Sequence, residues 1–235
     1  MKRFLLASAF ALAAAAPAFA QETGQAAQQP PAQQPATEQP AEAVAPIEAP
    51  APAPAPAEAT PAFVGPEITL QTTLGDIVVV LDTEGAPKTA AQFLKLVKNG
   101  HYNGAAFYRI EKGFVIQFGD LDANLKYRPA KLPNVPLETA TNKHSRGALS
   151  LARADEPGSG QSTIFISLGE NSGLDANPNA PPNTTGYAAF GKVISGMDIV
   201  DMIAAVELAP EGGPFPGKLP KDPVVIKKAT VTKAQ

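Results

Sequence analysis

Phe107-Tyr108-Arg109-Ile110-Glu111-Lys112-Gly113-Phe114-Val115-Ile116-Gln117-Phe118-Gly119-Asp120 is the most informative stretch of the chain. It divides into two strand-like apolar runs, 106–110 and 113–118, each short enough for a strand. An arginine inside such a run is unusual, because burying an unpaired charge is costly. Phe114 and Val115 follow with apolar surface, and Gln117 adds a polar amide. A guanidinium beside a hydrophobic pocket suits a site that binds something apolar and polarises one polar atom of it. Taken alone, Arg109 reads more simply as a salt-bridged core arginine.

Outward from this stretch the same pattern repeats. Glu67-Ile68-Thr69-Leu70-Gln71-Thr72 alternates with period two, and Gly75-Asp76 turns the chain into the apolar run Ile77 to Leu81. Pro87 predicts a helix start, where its missing N–H costs nothing. Ala90, Phe93, Leu94 and Val97 fall on one face of that helix, and Asn99-Gly100 ends it. Further strand-like runs are 148–152, 163–168 and 187–193. A second amphipathic helix spans 196–206, with Ile199, Val200 and Ile203 inward, and a last alternating strand covers 223–231. Many short strands with one helix near each end predict a mainly β fold, a closed antiparallel eight-stranded barrel capped by two helices.

The chain before this domain is different in kind. Lys2 and Arg3 precede an uncharged apolar stretch from Phe4 to Ala16, and Ala18-Phe19-Ala20 supplies a small-x-small cleavage pattern. Residues 1–20 are therefore expected to be an export signal, cut after Ala20 to leave Gln21. The stretch is shorter than the ~20 apolar residues of a spanning helix, so no stable membrane insertion is expected. Residues 21–66 are Ala/Pro/Gln-rich, including Ala49-Pro50-Ala51-Pro52-Ala53-Pro54-Ala55-Pro56. With almost nothing apolar to bury, this part is expected to be a disordered, extended spacer. The folded domain is expected at 67–233. A net charge of −3 argues against nucleic acid as a partner. The absence of cysteine excludes a disulfide framework, a thiolate nucleophile and a Cys-ligated metal.

Five segments resemble the cyclophilin signature in order. The 107–120 segment is similar to the family's Phe-His-Arg, Gly-Phe, Gln and Gly-Asp pattern. Ala148-Leu149-Ser150-Leu151-Ala152 resembles its Leu-Ser-Met-Ala strand, and Gly160 to Ile166 its Gly-Ser-Gln-Phe-Phe-Ile strand. Leu174-Asp175 follows, and then Phe190-Gly191-Lys192-Val193 with Gly196-Met197. The resemblance implies a peptidyl-prolyl cis/trans isomerase without cofactor or metal. It assigns Arg109 the catalytic role, and Phe114, Val115, Phe165 and Leu174 the proline pocket. Gln117, Ala152, Arg153 (through its main chain), Thr163 and Tyr187 complete the expected substrate-binding set. The implied partners are unfolded or partly folded proteins containing X–Pro bonds. The signal and spacer point to an exported compartment, the periplasm first, and with no interface-like stripe evident a monomer is expected. A peptide-binding module or holdase with little turnover is the alternative.

This chain departs from the family pattern at Tyr108, where His is usual, at Thr163 for Gln, at Ile164 for Phe, and at Tyr187 for His. Gly173 stands where some members carry Trp, and about ten residues, 176–186, are extra. Asp175 to Asn179 mimics the start of a calcium loop but lacks its sixth-position Gly and twelfth-position Glu. His101 and His144 are too few and too far apart in sequence for a metal triad or a Ser-His-Asp arrangement.

Overall fold

The computed structural model describes residues 63, 65–139, 142–210 and 215–234. The expected export signal, and the spacer up to residue 62, lie outside the described residues. Glu67–Thr72 (β1) and Asp76–Leu81 (β2) pair as an antiparallel hairpin. The Thr72 hydroxyl closes the turn, donating to the Gly75 carbonyl at 2.6 Å and accepting from the Leu74 and Gly75 amides at 3.1 Å. After the helix Pro87–Lys98 (α1) come Ala105–Glu111 (β3), Val115–Asp122 (β4), Ala148–Leu151 (β5), Ile164–Ser167 (β6) and Ala188–Ser195 (β7). Met197–Ala205 (α2) and Val225–Lys233 (β8) complete the domain.

All strand pairs are antiparallel, and they close in the order β1-β2-β7-β5-β6-β4-β3-β8. The sequence expectation of an eight-stranded barrel with two helices is thus the fold formed. Closure leaves no strand with a free edge, which removes the usual template for aggregation. A run of aromatic contacts ties α1 to the sheet. Phe93 lies 5.0 Å from Tyr102 and 5.3 Å from Phe190, and Phe118 lies 5.7 Å from Tyr102 and 5.1 Å from Phe107, between ring centroids. All five are essentially inaccessible to water. Burying such side chains stabilises the fold by roughly 1.5–3 kcal/mol each, and Phe93 brings α1 into this cluster.

The N-terminus of α1 has no side-chain cap of its own. Glu138 supplies one from a distant loop, accepting from the Lys88 and Thr89 amides at 3.1 and 2.8 Å and from the Thr89 hydroxyl at 2.7 Å. A carboxylate there also meets the positive end of the helix dipole.

Several expected edges move. β4 begins at Val115 rather than Gly113, because Gly113 takes a left-handed φ of 77° in the turn after β3. It continues to Asp122, past Gly119. β5 and β6 are four residues each, shorter at their ends than expected, and β7 runs from Ala188 to Ser195 rather than 187–193. β8 starts after Pro223, which has no N–H for the ladder, and runs on to Lys233. On α1 the buried face includes Thr89 and Leu96, with Leu94 only partly covered; on α2 Ile199 is partly covered beside Val200 and Ile203.

Candidate active site

The site lies on the outer face of the sheet, and a single irregularity creates it. In β4, Ile116 and Phe118 belong to the core while Val115 and Gln117 point the other way, as strand alternation requires. In β3, Phe107 and Ile110 belong to the core, three positions apart rather than two or four. The ladder shows why. Phe107 pairs with Phe118 but Arg109 pairs with Gln117, so β3 carries one extra residue between them, a β-bulge at Tyr108. Without it Arg109 would share the inward face of Phe107. With it, Tyr108 and Arg109 both leave the barrel interior and stand beside Gln117.

A hydrogen-bonded chain fixes these groups. The Arg109 guanidinium donates from Nη1 to Gln117 Oε1 at 3.0 Å, and Gln117 Nε2 donates to the Tyr108 hydroxyl at 3.0 Å. The amide is therefore held in one orientation from both sides. Arg109 Nη2 pairs with Glu111, whose carboxylate also takes the Lys218 ammonium at 2.6 Å. Burial tends to raise the Glu111 pKa, but Lys218 and Arg109 outweigh it and hold it below the usual carboxylate value. Arg109 and Glu111 are about a quarter exposed, so this ion pair adds little to stability, and its consequence is orientation. Burial and the charge of Asp120 push the Tyr108 hydroxyl well up, so it remains protonated.

Arg109, Phe114, Val115, Gln117, Ala152, Arg153, Phe165, Leu174 and Tyr187 line one cleft of about 350 Å³. Nine of the ten residues expected from sequence are thus gathered there. The tenth, Thr163, stands in the adjoining cavity of about 630 Å³, with Tyr108, Asp120 and Gln161. Gln117, Ala152 and Arg153 border both. Phe165, opposite Gln117 in the β4–β6 ladder, forms the floor. Tyr187 meets it edge-on at 5.6 Å, and the Arg153 guanidinium sits 5.0 Å over the Tyr187 ring. Arg153 Nε donates to the Gly186 carbonyl at 2.8 Å, so its charge is committed to shaping this wall.

Gly119 allows the strands behind the site to approach closely. Its φ is 137°, and a Cβ there would stand 2.4 Å from the Ser162 carbonyl oxygen. Among the described residues no group of three or more His, Cys, Asp or Glu side chains is placed to hold a metal ion.

Two parts of the site had no clear signal in the sequence. His144, set aside as isolated, is buried behind the floor, stacked on Phe165 at 5.9 Å. Its Nδ1 lies 2.8 Å from Asp175 Oδ1, which also accepts the His144 amide at 3.0 Å. Asp175, the first residue of the calcium-like stretch, is spent on this contact and on Lys143 at 3.3 Å. The second is Phe215, which lines both cavities.

Residues 67–231 match the model of the cyclophilin type peptidyl-prolyl cis-trans isomerases. The chain belongs to that family. A peptidyl-prolyl cis-trans isomerase of Acinetobacter baylyi is 37% identical over 165 residues, spanning 70% of this chain and 85% of that protein. Peptidyl-prolyl cis-trans isomerase B of Escherichia coli is 33% identical over 165 residues, spanning 70% of this chain and 99% of that one. In fold, the chain is similar to a cyclophilin type isomerase of Cryptosporidium parvum crystallised in the presence of the dipeptide Ala-Pro. That likeness has a TM-score of 0.57 at 24% identity and covers 71% of this chain and 99% of that one. Cyclophilin membership makes this protein a prolyl isomerase and places the cleft described above on an enzyme.

His144 gives the domain a defined acid response. Burial lowers its pKa below the ordinary value of 6.5, more than Asp175 raises it, so the folded state holds the ring neutral. The unfolded chain then binds the extra proton first, and stability falls as pH drops below about 6.5. Asp175, held low by His144 and Lys143 against burial, loses its contribution only at more acid pH. Denaturant unfolding at pH 7.5 and pH 5 should show a lower midpoint at pH 5 in the wild type and a smaller drop in His144→Gln.

Proposed function

We propose that this protein accelerates rotation about X–Pro bonds in exported proteins, with Arg109 stabilising the twisted amide. Prolyl bonds isomerise unaided in tens to hundreds of seconds, slowly enough to limit folding. Amide resonance maintains the barrier, so a site speeds rotation by favouring the state in which resonance is lost. In that state the prolyl nitrogen regains its lone pair. Arg109 supplies a donor to it, since the guanidinium has five N–H groups and Gln117 and Glu111 occupy only part of them. The observation that carries this reading is the convergence of Arg109 and Gln117 with Phe114, Phe165 and Leu174 on one cleft.

The proline ring is held by Phe114, Val115, Phe165 and Leu174, with Tyr187 closing the far side. Gln117 binds a backbone group of the substrate, and Arg153 contributes its main chain, its side chain being engaged with Gly186 and Tyr187. Thr163 contacts the peptide further along, in the adjoining cavity. Tyr108, in place of the usual His, keeps a protonated hydroxyl beside Gln117 and leaves no imidazole at that position. The chemistry proceeds by noncovalent stabilisation and draws on no cofactor or metal. The enzyme works as a monomer.

A proline-isomerisation assay on a model peptide tests the assignment. Arg109→Ala should lose roughly 10²–10³-fold in kcat/KM, the cost of removing a preorganised transition-state donor. Arg109→Lys should not restore it, since an ammonium cannot hold Gln117 and Glu111 in the same fork. A mutant rate equal to the wild type would overturn the role of Arg109, and a wild-type rate no better than buffer would overturn the enzyme reading.

The export proposal rests on Lys2, Arg3, the apolar run and Ala18-Phe19-Ala20. Residues 21–66 then act as a spacer ahead of the 67–233 domain in the periplasm. N-terminal sequencing of the protein from a periplasmic extract should read from Gln21; a cytoplasmic product retaining Lys2 and Arg3 would contradict it.

A further inference from the structure

Phe215 is unusual on this surface. It is only partly buried, stands outside the hydrophobic core, and lines the seam where the two cavities meet. Its ring lies 5.1 Å from that of Tyr108, between centroids, at an interplanar angle of 34°. Gln117, Ala152 and Arg153 line the same seam.

Short contacts hold this aromatic in place. The Phe215 carbonyl accepts from the Lys218 amide at 3.1 Å, and the Lys218 carbonyl accepts from the Ile110 amide at 2.7 Å. The Lys218 ammonium meets Glu111 at 2.6 Å. Further along, the Ala209 amide donates to the Leu219 carbonyl at 2.8 Å and the Lys221 amide to the Glu207 carbonyl at 2.9 Å. The segment bearing Phe215 is therefore fastened to β3, the strand that carries Arg109. Glu111 bridges the two directly, through Lys218 on one side and Arg109 on the other.

We infer that Phe215 is a specificity-determining residue: with Tyr108 it forms an aromatic wall against which the side chain flanking the substrate proline packs, favouring large apolar residues there. The inference rests on the isomerase reading of the cleft. A proline seated on Phe165 brings its neighbouring residue to the seam, because Gln117, Ala152, Arg153 and Phe215 line both cavities. At the seam that residue meets the Phe215 ring on one side and the methyl group of Ala152 on another. A large apolar side chain gains contact with both, whereas glycine or alanine gains almost none. Because the wall is pegged to β3, it is in place before the substrate arrives, so little ordering cost falls on binding.

The test compares kcat/KM for two series of proline peptides, one varying the residue before proline and one the residue after, each from Gly and Ala to Leu and Phe. In the wild type one series should favour Leu and Phe over Ala. Phe215→Ala should reduce that preference roughly five- to tenfold, and Phe215→Leu should recover part of it. The series that responds identifies which neighbour lies on the wall. An equal loss on every peptide, or a preference that does not move, would overturn the inference while leaving the isomerase reading intact. A wild type inactive on all peptides would instead remove the reading beneath it.

Discussion

One extra residue in β3 decides where Arg109 stands. Strand alternation alone would turn Arg109 toward the side of Phe107, into a core where an unpaired guanidinium is costly. The bulge at Tyr108 reverses that, and the reversal costs little because the next residue, Ile110, rejoins the core opposite Ile116. The barrel keeps its packing and gains a charged group on its surface. Everything else at the site is arranged around this displaced arginine.

The arrangement works by fixing directions rather than by adding stability. Gln117 is gripped between Arg109 and Tyr108, and Arg109 is steered from its other end by Glu111. These contacts are partly exposed, so each adds at most about 1 kcal/mol to folding, far less than the aromatic cluster behind them. In the proposed mechanism their importance is that donors already aimed need no reorganisation when resonance in the substrate is lost. Behind the floor, His144 and Asp175 hold the layer on which Phe165 and Tyr187 rest. The 176–186 insertion follows directly on the pair partner Asp175 and ends at Gly186, whose carbonyl receives Arg153. Its two ends therefore brace the pocket wall.

Much of this was legible in the sequence, for a local reason. The residues of β3 and β4 that make the site are close in the chain, so spacing alone brings Arg109, Phe114 and Gln117 into one hairpin. The alternation of β1 and β8, and the Pro87 start and Asn99-Gly100 end of α1, were equally local, whereas the Glu138 cap of α1 comes from a distant loop. The bulge was not legible: Arg109 stands out within its apolar run, but the extra residue is visible only against β4. The His144–Asp175 pair spans 31 positions and gives no periodic signal. Phe215 follows β3 by about a hundred residues and sits in a Gly/Pro-rich stretch that resembles any surface turn. Such groups are placed by closure of the barrel, which no short window of sequence encodes. Thr163 shows the converse: its motif was recognised, but the wall between the two cavities puts it on the far side of Gln117.

Exchange spectroscopy on an Ala-Pro peptide offers the most direct test of the central claim, because it observes binding and rotation separately. With wild-type protein, cis and trans resonances should exchange rapidly while the signals of Phe114 and Phe165 shift on titration. With Arg109→Lys, those shifts should persist and the exchange should fall toward the unaided rate. Exchange at the wild-type rate in that variant would mean that the arginine turned outward by the bulge is not what lowers the barrier.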